Sequence, residues 1–141
     1  MAINNLSAFL NPVQVEEQEF VISRRFRDEN GEPVKWRIRP LTQDENKALI
    51  KKATYAKKTA QGVQQELDKQ KYAALVIVAA TKHPDFSAAE LCEAYGTLDP
   101  LDVPGKMLLV GEYNRLMEAI FELSGMDAEG NDTDEDNAIK N

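Results

Sequence analysis

Residues that carry chemistry are scarce in this chain. Its 141 residues include one cysteine and one histidine. A lone cysteine, Cys92, excludes a disulfide within the chain and fits a reducing compartment. One His and one Cys cannot supply the usual ligand set of a zinc site. There is no Gly-rich phosphate loop, CxxC, HExxH or GxSxG, so no familiar nucleotide, redox or hydrolase motif is present. Paired carboxylates do occur, at Glu16-Glu17 and Asp44-Glu45. They fall on an N-terminal arm and at a helix start, where the helix dipole accounts for the second pair without catalysis. The expectation is a non-enzyme with no catalytic residue, cofactor or metal. Long apolar runs are missing too. The longest, from Ala73 to Ala80, falls far short of the ~20 residues that span a bilayer. No basic segment followed by an apolar run opens the chain, so no signal peptide is expected.

Charge is present but unevenly placed. The formal net charge is −7. Residues 24–58 hold eleven Lys and Arg against five Asp and Glu, while residues 126–141 hold six acidic residues against one Lys. A chain divided in this way is not a general nucleic-acid binder, although it allows a local basic face.

The most organised stretch is residues 19–42, EFVISRRFRDENGEPVKWRIRPLT. Val34, Trp36 and Ile38 alternate with Lys35, Arg37 and Arg39, which is the period of a strand with one apolar face. Phe20, Ile22 and Phe26 give a weaker first strand, interrupted by Arg24. Asn30-Gly31 supplies the positive φ angles of a hairpin turn. Pro40 should end the second strand. Thr42 and Glu45 then form a capping box that opens a helix. The opposite hairpin face carries Arg25, Lys35, Arg37 and Arg39. The plain reading is a solvated face that discourages edge pairing. The other is a surface for acidic partner helices or phosphates.

Residues 1–18 form an arm. Asn5 is placed to cap a short turn holding Leu6, Phe9 and Leu10 on one face, and Asn11-Pro12 stops it. Either this turn packs on its own domain, the preferred reading, or it is a docking peptide for a second copy or a partner. After the hairpin, one helix is expected from Gln43 to about Thr59 and a second from Val63 to about Lys82. The run YAALVIVAAT is apolar on all sides and belongs inside. His83-Pro84 marks its stop. A second capping box, Ser87 with Glu90, opens a short helix holding an inward Cys92 and ending at Gly96. A further short helix is expected around residues 106–110. The last strong helix runs from Glu112 to Ser124, with Gly125 just beyond it in a positive-φ position. The acidic residues 126–141 are too polar to offset their ordering entropy and should be disordered. Asp132, Asp134 and Asp136 have calcium-loop spacing but lack its glycine and closing glutamate. The expected fold is α+β and mainly α. It comprises the arm (1–18), a single domain (19–125) with a two-stranded antiparallel hairpin (19–41) packed on a bundle of four to five helices (43–125), and an acidic tail (126–141).

Four blocks together resemble the XkdN-like tail assembly chaperones of tailed phages and prophages. They are LSAFL (6–10), the hairpin (19–42), QDENKAL (43–49) and GEYNRLMEAIFELSG (111–125). Val110 departs from the pattern, which has proline there. The resemblance implies a non-enzymatic protein of the bacterial host cytoplasm that is absent from the finished virion. It would bind the tape measure protein and keep it soluble until the tail tube forms around it. It also implies a longer frameshifted form. Leu6, Phe9, Leu10, Arg25, Arg37 and Arg39 are the candidate partner-binding residues, and self-association into oligomers is expected. Two other functions compete: a small structural tail or connector protein, and a nucleic-acid-associated regulator using residues 24–58.

Overall fold

A computed structural model describes residues 6–126. The chain is mixed helix and strand, in the order α1 (Ser7–Leu10), β1 (Gln18–Phe20), β2 (Trp36–Ile38), α2 (Gln43–Ala53), β3 (Thr54–Thr59), β4 (Gly62–Leu67), α3 (Lys69–Ala80), β5 (Thr81–His83) and α4 (Ala89–Ala94). A 3-10 turn (Pro100–Asp102), α5 (Val103–Met107) and α6 (Val110–Leu123) complete it.

The N-terminal ribbon forms where its alternation places it. Gln18, Glu19 and Phe20 pair antiparallel with Ile38, Arg37 and Trp36. Trp36 and Ile38 are buried while Arg37 between them is exposed. The strands are shorter than expected, however, and residues 21–35 make a long irregular connection between them. Within it the Asp28 carboxylate accepts from the amides of Asn30 (2.8 Å) and Glu32 (3.0 Å), an Asx turn. Gly31 alone takes positive φ there, at +78°; Asn30 does not. A third strand joins the sheet: β5 pairs antiparallel with β2, through Arg37↔His83 and Ile38↔Thr81. The His83-Pro84 peptide after it is cis.

The Thr42–Glu45 capping box opens α2 as expected. The Glu45 amide donates to Thr42 Oγ1 at 3.2 Å, and the Thr42 amide donates to Glu45 Oε1 at 3.0 Å. Beyond Ala53 the expectation fails. In place of a helix to Thr59 and another from Val63, the chain turns back as the ribbon β3–β4, paired from Thr54↔Leu67 to Thr59↔Gly62. Gly62 sits at φ +118°, which only glycine adopts readily. The next helix, α3, starts later, at Lys69, where the Asp68 carboxylate caps the Lys71 amide at 3.0 Å.

The apolar run 75–80 is helical and central. α3 touches α2, α5, α6, the 3-10 turn and β5. Its Val76, Ile77 and Ala80 join Ile22, Trp36, Ile38, Phe86, Val103, Leu116, Ile120 and Phe121 in one buried cluster. Trp36 stands between Phe26 and Phe86, with ring centroids 5.7 and 5.9 Å away.

Three later helix starts differ from expectation. Ser87 does not cap α4; its hydroxyl and amide turn back to the Asp85 carboxylate at 2.6 and 3.0 Å. Pro104-Gly105 lies inside α5, which ends at Met107, because proline is tolerated in a first turn whose amides are unpaired anyway. The last helix begins at Val110, two residues before Glu112. Val110 thus occupies the first helical position, where proline is common but not required. Gly125 follows the helix at φ +84°. Asn5 and all of the tail beyond Met126 lie outside the described residues.

Candidate partner-binding surface

The α1 turn of the arm does not pack on the domain. Leu6, Phe9 and Leu10 are 61%, 78% and 72% exposed, and Val13 and Val15 beyond them are exposed as well. None of the residues of α1 is buried. The single-turn helix is held by its own backbone, with the Phe9 and Leu10 amides donating to the Leu6 carbonyl at 2.9 Å. This overturns the preferred reading of the sequence. One turn of helix has too little apolar area to secure docking on a core that the domain already closes with its own residues.

The three arginines go to three different places, each beside a carboxylate. Arg25 lies in the long connection and reaches the start of α6. Its Nε and Nη2 donate to the two oxygens of Glu112 at 2.9 and 2.5 Å, and Nη2 also donates to the Met107 carbonyl. The guanidinium lies 4.9 Å from the Phe26 ring centroid. Arg39 donates to both oxygens of Glu45, at 3.1 and 2.7 Å. Arg37 makes the loosest pair, 3.4 Å to Glu17, with both side chains about half exposed. The structure therefore does not gather Arg25, Arg37 and Arg39 into one open basic patch.

These pairs set the titration of their partners. The Arg39 guanidinium, helped by the Thr42 amide, holds the Glu45 carboxyl at about 2. Among the described residues Glu112 is the one buried carboxylate, with its side chain 7% exposed. The Arg25 guanidinium holds it at about 2 against the opposing effect of burial, and the Leu109 amide adds a 2.8 Å bond. Sequence reasoning read Glu112 only as a helix start. The available signal was its place in the first turn of the last helix. Its partner 87 positions away left no local trace.

An open groove lies beside this pair, lined by Arg24, Arg27, Leu109, Gly111 and Arg115 among others. Arg115 spans it to donate to the Ile22 carbonyl. The Cys92 thiol is buried and donates to the Phe86 carbonyl at 3.3 Å, as a small hydrophobe would. Among the described residues no three His, Cys, Asp or Glu side chains cluster as a metal site, and no helix is long and apolar enough to cross a membrane. What the surface offers is an exposed apolar arm and ion-paired shoulders.

The chain is 36% identical to the protein YqbN of Bacillus subtilis strain 168, over 99% of this chain and 95% of that one. It is 31% identical to the phage-like element PBSX protein XkdN of the same strain, over 95% and 93%. The crystal structure of YqbN superposes with a TM-score of 0.75 at 34% identity, covering 89% of this chain and all of the other. The model of the phage XkdN-like tail assembly chaperone proteins matches residues 6–139, and the chain belongs to that family.

Proposed function

We propose that this protein binds the tape measure protein of its phage or prophage and keeps it soluble while the tail is assembled. Membership of a tail assembly chaperone family supports the general role. The observation that carries the finer reading is the uncovered Leu6-Phe9-Leu10 turn. A soluble domain gains nothing by holding such a cluster in water, whereas a binder of long, partly apolar chains does. The turn is the first contact. Arg37, with its long and exposed ion pair to Glu17, steers acidic segments of the partner, and Arg25 and Arg39 add positive charge elsewhere on the surface. Several weak copies act along one filament, so self-association belongs to the same reading. The protein works in the host cytoplasm and is left behind when the tube closes.

Co-expression with the tape measure protein of the same gene cluster tests this. The tape measure should stay in the soluble fraction only when this chain is present. Changing Leu6, Phe9 and Leu10 to Ser together should abolish that effect with no loss of thermal stability, since none of the three touches the core. A tape measure equally soluble alone would refute the role. A fully active triple variant would refute the arm. Purified particles should lack the chain; its presence there would favour a structural tail protein.

A further inference from the structure

Six arginines lie among the described residues, and folding divides them into two sets. Arg25, Arg37 and Arg39 each pair with a carboxylate. Arg24, Arg27 and Arg115 pair with none among the described residues. All three line the groove between the long connection and the start of α6. Glu112 is the single carboxylate of that lining, and Arg25 engages both of its oxygens. Three guanidinium charges are therefore left uncompensated in one concave place. Val21 and Leu109 give the groove an apolar rim, 40% and 60% exposed.

Two of these arginines are already held in position. Arg27 Nη1 donates to the Gly31 carbonyl at 2.8 Å, and Arg115 Nη1 donates to the Ile22 carbonyl. A guanidinium carries five donors, so each keeps others free for a carboxylate. Lys47, Lys51 and Lys52 on α2 are exposed and without ion pairs among the described residues as well. They stand on an outward helix face as flexible, strongly hydrated point charges, which hold a carboxylate less well.

The same chain supplies a matching segment. Residues 127–141 hold six acids and one Lys, and four of the acids fall within 132–136. Met126, where the described residues end, packs against the core cluster beside α6. Arg115 lies eleven residues back along that helix, about 17 Å at its usual rise. Residues 127–131 span about the same distance when extended. Glu118 and Glu122 are exposed on the intervening turns of α6 and repel an acidic chain. The first place where such a chain is attracted is Arg115.

We infer that residues 132–136 occupy this groove in the same molecule, with Asp132 at Arg115 and Asp134 to Asp136 toward Arg24 and Arg27. Ile139 then comes to the apolar rim of Val21 and Leu109. Tethering gives the segment an effective concentration on the order of millimolar, so a few exposed ion pairs suffice to hold it. The acidic segment is thereby a built-in competitor. It keeps other polyanions out of the one groove whose arginines are unmatched, whether or not the tape measure reading holds.

Paramagnetic broadening in the full-length chain tests this with no tape measure protein present. A nitroxide is attached through Asn137→Cys; the native Cys92 is buried. The amides of Arg27, Leu109 and Gly111 should lose intensity, while that of Lys51 on α2 keeps it. The loss should vanish at about 1 M salt, where the screening length is about 3 Å. Arg24→Gln with Arg27→Gln should abolish it, at an unchanged thermal midpoint. Changing Asp134, Glu135 and Asp136 to Asn, Gln and Asn should do the same while leaving the groove itself unaltered. Lys51→Gln with Lys52→Gln should have no effect. Groove amides that keep full intensity overturn the inference. So does a loss that survives either set of groove or tail changes. A loss seen only between molecules, in a mixture of isotope-labelled chains and nitroxide-bearing chains, overturns it too.

Discussion

Replacing Glu112 by Gln isolates the one carboxylate that ties the long connection to the last helix. Its two oxygens take two bonds from Arg25 and one from the Leu109 amide. Arg25 above all, with Ser23 and the Leu109 amide, outweighs burial and moves its ionisation from 4.5 to about 2. At roughly 1.4 kcal/mol per unit, that difference contributes on the order of 3 kcal/mol to folding at neutral pH. A carboxyl whose folded value is depressed contributes fully above its unfolded value and loses that contribution as pH falls toward the folded one. The gap in stability between the native chain and Glu112→Gln should therefore be constant above about pH 5.5, narrow from about pH 4.5 and close near pH 2. Glu45 is also held at about 2, but it titrates alike in both proteins and drops out of the difference. Urea unfolding at a series of pH values measures the gap. A gap that persists unchanged at pH 3, or that is absent at pH 7, would show that the Arg25 pair does not anchor this corner.

Thr42→Ala removes the hydroxyl that caps α2 and should cost about 1 kcal/mol, seen as a lower urea midpoint. Thr81→Val should leave stability unchanged or raise it by up to about 1 kcal/mol in the same assay, because Thr81 Oγ1 is buried without a hydrogen-bond partner. Leu116→Ala opens space in the fully buried centre of the cluster. It should cost about 2–5 kcal/mol, with a matching drop in the thermal midpoint.

Local signals were readable where a single residue or a short period decides the outcome. The Trp36–Ile38 alternation, the Thr42–Glu45 box, Gly96 and Gly125 at positive φ, and the buried helix around Ile77 all follow from neighbours in sequence. The β3–β4 ribbon was missed for a definite reason. Periodicity reveals a strand only when one face is buried, and this ribbon is solvated on both. Its Ala, Lys, Gln and Glu residues have helical preference, so the segment read as the tail of α2 and the head of α3. β5 was missed because three residues after a helix carry no pattern of their own. Of the candidate partner residues, the apolar arm was visible as a cluster but its exposure was not.

The order of residues alone determined the alternation of the ribbon, the caps, the apolar centre and the kinship with the tail assembly chaperones, since each is written in spacing or in side-chain type. Only the tertiary structure decided which charges are spent. Arg25 with Glu112, Arg39 with Glu45 and Arg37 with Glu17 are matched by folding. Attraction between opposite charges depends on distance in space, and the chain lays out only distance along itself.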